Sequence, residues 1–301
     1  MSRAHVVSPA ELSSLRDLEL LARTTVEGLR QGLHRSPFHG YSAEFSQYRH
    51  YRPGDDLKYV DWKAFARTDR LYSRQFRETT SMSALLVADA SRSMDFPRDD
   101  EGAQSKFALA RATAAVLATL VIDQGDAAGL LALAGNDAGD THYVPARSGR
   151  HHLHVYLAEL ARVRCQAAFG IVPALRRAAA LLRRRGMVIV LSDLYEDEEA
   201  LAEIRRLSRM GHDVIVIHVM AREELSLPTG GALEFEDLET GATLLTNATG
   251  AAAEYAQNVN AFMTRVQTAV VREGLDYVRL TTGDPLEPAL RRFLVSRRGA
   301  A

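Results

Sequence analysis

From about residue 80 onward, apolar residues in this chain fall into two alternating rhythms, short continuous runs and longer helical stripes. Before that point the texture differs. Over residues 11–35, Leu12, Leu15, Leu18, Leu21 and Val26 recur at helical spacing and predict an amphipathic helix. A polar stretch dense in Tyr, Arg and Asp then covers residues 40–77, within which 71–76 reads as a strand. Residues 83–88 hold the run Ala84-Leu85-Leu86-Val87, the pattern of a strand buried on both faces.

Downstream the pattern predicts helices over 105–123, 150–163, 171–185 and 198–210. A long helix follows, carrying Tyr255, Val259, Phe262, Val266 and Val270 on one stripe, and a last one covers 287–295. Strands are expected at 127–133, 142–144, 187–191, 214–219 and 275–280. A β-hairpin is expected over 232–246, turning near Glu239-Thr240-Gly241. Pro173 suits the first turn of the 171–185 helix, and Gly186 stands where a left-handed cap is expected. Strands alternating with helices of this length imply βαβ units. The expected fold is therefore α/β, with a mainly parallel, doubly wound sheet covered on both faces. The boundary falls near Thr80: residues 1–80 form an N-terminal helix plus the aromatic-polar segment. Residues 81–301 form the α/β domain, with the hairpin as an insertion near 231–247.

Composition narrows the function classes. The chain has 301 residues, 47% hydrophobic and 25% charged, which is ordinary globular usage. A net charge of −1 argues against nucleic acid as the main partner. Cys165 is the single cysteine, so no intrachain disulfide forms and a reducing, cytoplasmic compartment is expected. The first thirty residues lack a signal-peptide core, and the longest apolar runs, such as 114–122, are too short to span a bilayer, so no membrane anchor is expected. No G-x-x-x-x-G-K-[ST] loop is present, which argues against ATP hydrolysis by this chain.

The candidate chemistry sits at strand ends. The first buried strand runs into Asp89-Ala90-Ser91-Arg92-Ser93, and the strand over 187–191 ends in Ser192-Asp193. In an open parallel sheet, ligands bind at the carboxyl ends of strands where the strand order reverses. Asp89, Ser91, Ser93 and Asp193 offer two carboxylates and two hydroxyls. Such hard oxygen donors suit Mg²⁺ or Mn²⁺ rather than zinc. An ion so held keeps room for waters and one outside ligand, and it attracts an acidic side chain from a partner. The bland alternative is an Asp and two Ser that only shape a turn or cap the next helix.

This arrangement resembles a von Willebrand factor type A domain with its metal-ion-dependent adhesion site. The upstream residues Tyr51-Arg52-Pro53-Gly54-Asp55-Asp56, Val60-Asp61-Trp62-Lys63-Ala64 and Ala66-Arg67 resemble the signature of the bacterial domain of unknown function fifty-eight family, whose members carry a type A-like domain. The resemblance implies a partner, a MoxR-type AAA+ ATPase, acting with this protein on an unknown client in chaperone-like assembly or activation. It also implies a protein that is not an enzyme, with Asp89, Ser91, Ser93 and Asp193 as metal ligands. The threonine that type A domains usually add has no counterpart here: Gln166-Ala167-Ala168-Phe169-Gly170 contains no hydroxyl. In the signature stretch, one reading has Asp55, Asp56 and Asp61 as an acidic patch or a second cation site near Arg67. The favoured reading has Pro53-Gly54 as a turn, Trp62 packed into the core, and the Asp and Arg residues as structural ion pairs.

Three other clusters have ordinary explanations. His151, His152 and His154 have no further ligand at a recognised spacing and read as an exposed helix start. Arg176, Arg177, Arg183, Arg184 and Arg185 read as cations near a helix C-terminus, and Glu196-Asp197-Glu198-Glu199 as anions near an N-terminus. The leading expectation is thus a metal-dependent, non-catalytic interaction module. One competitor is a metal-dependent hydrolase or phosphotransferase with Asp89 as nucleophile. It is disfavoured because Ser91 stands where a general acid is usual. The other is a metal-free scaffold.

Overall fold

The computed structural model describes residues 15–32, 42–50, 60, 62–68, 70–80, 82–97, 104–135, 141–166, 170–195, 197–227, 232–236, 238 and 242–300. The continuous apolar runs become the inner strands of a six-stranded sheet: β3 (Ser83–Asp89), β4 (Ala127–Leu133), β6 (Met187–Ser192) and β7 (Asp213–Met220). The edges are β5 (Thr141–Arg147) and β10 (Asp276–Thr281). The spatial order is β10-β7-β6-β3-β4-β5, with every pairing parallel except β4 with β5. From β3 the chain builds outward through β4 to β5, then returns to the other side of β3 as β6. This is the doubly wound order, and its switch point lies between β3 and β6.

Helices cover both faces. Leu85, Val87, Val188, Val190, Val214 and Val216 point to one face, where α5 (Val172–Leu181), α6 (Asp197–Arg209) and α7 (Ala248–Arg272) close the core. Strand alternation sends the intervening residues to the other face, against α3 (Lys106–Asp123). Helix α3 is apolar all round and buried from Lys106 to Ile122 apart from Ala108 and Arg111. Such a helix needs cover on its outer side as well. That cover is α1 (Leu15–Gly32), which packs on α3, α4 (Arg150–Arg162) and α8 (Leu286–Ala300) and buries Leu18, Leu21, Ala22, Val26 and Leu29.

The N-terminal helix therefore belongs to the α/β unit rather than to a separate N-terminal segment ending near Thr80. The chain divides into Met1–Pro37 with Ser83–Ala301, and Phe38–Met82. The smaller unit pairs β1 (Ser42–His50) antiparallel with β2 (Tyr72–Thr80), and α2 (Trp62–Thr68) lies between them in the chain. The hairpin expected near 231–247 forms from β8 (Ala232–Glu236) and β9 (Thr243–Asn247).

Two local details differ from the sequence reading. Helix α5 stops at Leu181, so Arg183, Arg184 and Arg185 follow the helix instead of forming its last turn. Gly186 is absent from the glycines with positive φ. It is needed for close approach instead, since a Cβ there would lie 2.5 Å from the Ser83 carbonyl oxygen.

Candidate functional site

At the carboxyl end of β3 the chain turns at once into a short 3₁₀ turn, Arg92–Asp95, pinned by the buried Met94. Asp89 is buried at 2% exposure, and its Oδ1 accepts the Ser91 amide at 3.0 Å. That bond folds the loop back so that the Ser91 and Ser93 hydroxyls meet at 3.0 Å. From the neighbouring strand β6, the Ser192 hydroxyl donates to Asp89 Oδ2 at 2.6 Å and accepts the Leu194 amide at 2.9 Å. Leu194 is buried with φ of 54°, a left-handed conformation that bulky residues avoid and that clusters at functional loops. This conformation carries the chain past Asp193 to Tyr195, a residue that is 49% exposed.

Asp193, also buried, faces the crevice from the β6 side. Its Oδ2 accepts Lys106 Nζ at 2.8 Å, and the same ammonium reaches Glu224 Oε1 at 2.5 Å. Lys106 is fully buried and lies 4.6 Å from the centroid of the Tyr195 ring, a cation–π contact. Glu224 follows β7, a third strand end at the crevice; its Oε2 accepts the Ala221 amide, and the Tyr255 hydroxyl donates to its carbonyl. His218 Nε2 lies 2.9 Å from the Asp193 carbonyl and Nδ1 2.8 Å from the Tyr277 hydroxyl. A carbonyl only accepts, so Nε2 carries the proton and Nδ1 accepts from Tyr277.

Charge at this end of the sheet is dominated by burial. Desolvation, then the nearby Asp193 charge, pushes the Asp89 carboxyl up to about 7. Burial also raises Glu224, against the pull of Lys106. Burial opposes the charge on Lys106, yet Asp193 and Glu224 hold its ammonium above the usual lysine range. His218 is lowered by burial to about 4 and is neutral. Desolvation, then Asp95 and Asp89, push the Cys165 thiol well above its usual value, so it is a poor nucleophile and metal ligand.

The four expected ligand residues thus converge on the switch point, though not as a free set. Two ligands at right angles in an octahedral shell of about 2.1 Å radius lie about 3.0 Å apart, the spacing of the Ser91 and Ser93 hydroxyls. These hydroxyls and the Asp89 carboxylate fit a hard divalent ion. Asp193 fits as a shared donor, one oxygen held by Lys106. Among the described residues no group of three or more His, Cys, Asp or Glu could hold a metal, so any ion here depends on the serines. Ala167, Ala168 and Phe169 of the loop lacking the threonine lie outside the described residues.

In the signature stretch, Asp55, Asp56 and Asp61 lie outside the described residues. Trp62 is 57% exposed and stacks edge-on with Phe65 of its own helix, so it does not fill a core position. Arg67 is exposed at the end of α2. The histidines of α4 serve ordinary contacts, His152 with the Ala128 carbonyl and His154 with Glu19. Arg176 pairs with Glu203 and Glu199.

Sequence reasoning missed Lys106, Glu224, Ser192 and His218 as parts of the site. A signal for Lys106 was present. A lysine opening an otherwise apolar helix sits at the positive end of the helix dipole, the wrong end for a cation, unless carboxylates meet it.

The fold and this crevice define a doubly wound α/β protein with an oxygen-rich polar site at its switch point. The chain belongs to the family described as "Protein of unknown function DUF58", which matches residues 47–265. It is 33% identical over 248 residues to the "Uncharacterized protein Rv1480" of Mycobacterium tuberculosis H37Rv, covering 80% of this chain and 75% of that one. It is 29% identical over 172 residues to the "Uncharacterized protein YeaD" of Bacillus subtilis 168, covering 56% and 39%. Among solved structures it is similar to the conserved hypothetical protein BatB from Bacteroides thetaiotaomicron, with 19% identity, a TM-score of 0.43, and 72% of this chain and 99% of that one covered. Similarity also extends to an aerotolerance-related membrane protein from Bacteroides fragilis at 17% identity and a TM-score of 0.43, covering 73% and 100%. Among the described residues of the present chain, no helix is long and apolar enough to cross a membrane.

Proposed function

We propose that this protein is a non-catalytic interaction module whose switch-point crevice holds Mg²⁺ or Mn²⁺ and takes a carboxylate from a partner protein. The observation that carries the reading is the pair of hydroxyls, Ser91 and Ser93, meeting at 3.0 Å beside the buried Asp89 and across from Asp193. Asp89, Ser91, Ser93 and Asp193 are the residues that would hold the ion. The ion would supply a positive charge with an open position at the mouth of the crevice. The charge balance supports this reading: with Asp89, Asp193 and Glu224 ionised against Lys106, the crevice carries two uncompensated negative charges in a buried setting, which a proton or a divalent cation relieves.

A role without turnover is supported by Ser91, which stands two residues after Asp89 where aspartyl-nucleophile chemistry usually has a carboxyl general acid. The type A-like resemblance supports an adhesion-type site, and the family resemblance supports a MoxR-type AAA+ ATPase as the partner acting with this protein on a client. The single cysteine supports a cytoplasmic location.

Calorimetric titration of Mg²⁺ and Mn²⁺ into the metal-free chain tests the proposal, with Asp89→Ala as control. Saturable binding that disappears in the variant is the expected result. No binding at millimolar metal would overturn it and favour a metal-free scaffold, a second reading that rests on the Lys106 ammonium already standing against Asp193.

A further inference from the structure

We propose that Lys106 is a built-in counter-cation of the crevice, competing with the divalent ion for Asp193 and cancelling the charge of Glu224, so that the ion is held loosely and accepts an outside carboxylate. This inference rests on the cation-binding reading above and concerns how that site is tuned.

Lys106 stands between two carboxylates of the crevice. Its ammonium is fully buried, 2.8 Å from Asp193 Oδ2 and 2.5 Å from Glu224 Oε1, with the Tyr195 ring 4.6 Å away. It opens α3 at the positive end of the helix dipole, so the helix itself disfavours the charge and the two carboxylates must hold it there. The main chain fixes the position as well, because the Lys106 amide donates to the Phe96 carbonyl at 2.9 Å at the end of the serine-bearing turn. Lys106 therefore joins the Ser91–Ser93 loop, the Asp193 loop and the Glu224 turn.

The consequence follows from charge. A divalent ion facing Asp89, Asp193 and Glu224 with no lysine would stand in a crevice of net negative charge, and that crevice would repel an acidic side chain. With Lys106 present, Glu224 is neutralised within the protein and the ion is balanced by Asp89 and Asp193. An outside carboxylate then meets a neutral site. The same ammonium engages one oxygen of Asp193, so the ion must share that ligand. Affinity for the ion falls while access for the partner is preserved.

The test is Mn²⁺ binding to the full chain, read by calorimetry and by the electron paramagnetic resonance of free Mn²⁺. The variants are Glu224→Gln and the charge-balanced double substitution Lys106→Met/Glu224→Gln, with circular dichroism melting to establish that each is folded. Removing Lys106 alone would strand two buried carboxylates, so the double variant is the informative one. The inference expects it to bind Mn²⁺ at least about tenfold tighter than wild type, since a charge competing at contact distance has been removed. Glu224→Gln alone should bind more weakly than wild type, because it removes one negative charge and leaves the ammonium to Asp193.

Equal affinity of wild type and the folded double variant would overturn this inference while leaving the cation reading intact. Binding by the double variant but not by wild type would overturn both the cation reading for the native chain and this inference, because the ammonium would then fill the cation position itself. Absence of Mn²⁺ binding in both would overturn the two together.

Discussion

The Ser192 hydroxyl donates a 2.6 Å hydrogen bond to Asp89 Oδ2, tying together the ends of two neighbouring parallel strands whose residues stand 103 positions apart in the chain. Ser192 thereby holds the Asp89 carboxylate one residue beyond the last pair of the β3–β6 ladder, Ala88 with Leu191. Ser192→Ala removes that donor from a buried carboxylate. The expected loss of stability is roughly 1.5–3 kcal/mol at pH 8, the range for hydrogen bonds to charged groups. Asp89 should also titrate above its present value of about 7, because the Ser192 bond lowers it. Urea unfolding gives the first quantity, and carboxyl carbon shifts followed by NMR across pH give the second. Unchanged stability would remove Ser192 from the site.

The raised Asp89 carboxyl makes stability depend on pH in an unusual direction for an acid. Between the usual value of 3.8 and about 7 the folded protein holds a proton that the unfolded chain has released. Stability therefore falls as pH rises through that window, by up to roughly 4 kcal/mol from this group alone. His218, lowered to about 4, works the other way, costing stability as pH drops below 6.5. Comparing wild type with Asp89→Asn isolates the first effect. The variant should lose the decline between pH 5 and pH 8 in urea midpoints, and the two proteins should differ most at pH 8. Parallel pH profiles would show that Asp89 ionises normally.

Much of the fold was legible because buried parallel strands are continuous apolar runs and the helices between them keep one period. The Ser83–Asp89 and Met187–Ser192 strands need no context to be recognised, and their ends carry the Asp89 and Asp193 loops. Strand β1 was not legible. Ser42–His50 places Glu44, Gln47, Arg49 and His50 among few apolar residues, and its pairing with Tyr72–Thr80 is a long-range fact. Lys106 and Glu224 escaped for a similar reason. Each has ordinary neighbours in sequence, and only the packing of α3 against three strand ends brings them to Asp193. The exposure of Trp62 also escaped, since a lone tryptophan is more readily explained as core.

Helix α1 completes the α/β unit, and its contribution can be measured. Leu29 is fully buried on the helix that covers α3. Leu29→Ala leaves a cavity in that layer and should cost about 2–5 kcal/mol. Leu20, half exposed on the same helix, provides the control, since Leu20→Ala removes little buried surface. Denaturant midpoints of the two variants should separate clearly. If both behave like wild type, the helix is only loosely attached and the unit does not depend on it.

The bond from His218 to the Asp193 main chain makes a final prediction possible about how the crevice is held open. Because the Asp193 carbonyl can only accept, His218 is the Nε2–H tautomer, with Nδ1 receiving the Tyr277 proton. Burial keeps the ring neutral far below the usual histidine range, to about 4. Nitrogen-15 shifts should therefore show one protonated and one bare nitrogen at pH 6, where a solvent-exposed histidine is largely imidazolium. Tyr277→Phe removes the donor to Nδ1 and leaves a buried acceptor unsatisfied, at a cost of about 1–3 kcal/mol. The lost bond favoured the neutral ring, so the histidine should titrate at a higher pH in the variant. The Asp193 loop should stay in place while Nε2–H still reaches its carbonyl. His218→Phe should then do what Tyr277→Phe does not: release that loop and weaken any cation binding that Asp193 supports. Equal effects of the two substitutions on Mn²⁺ affinity would show that the ring does not position Asp193.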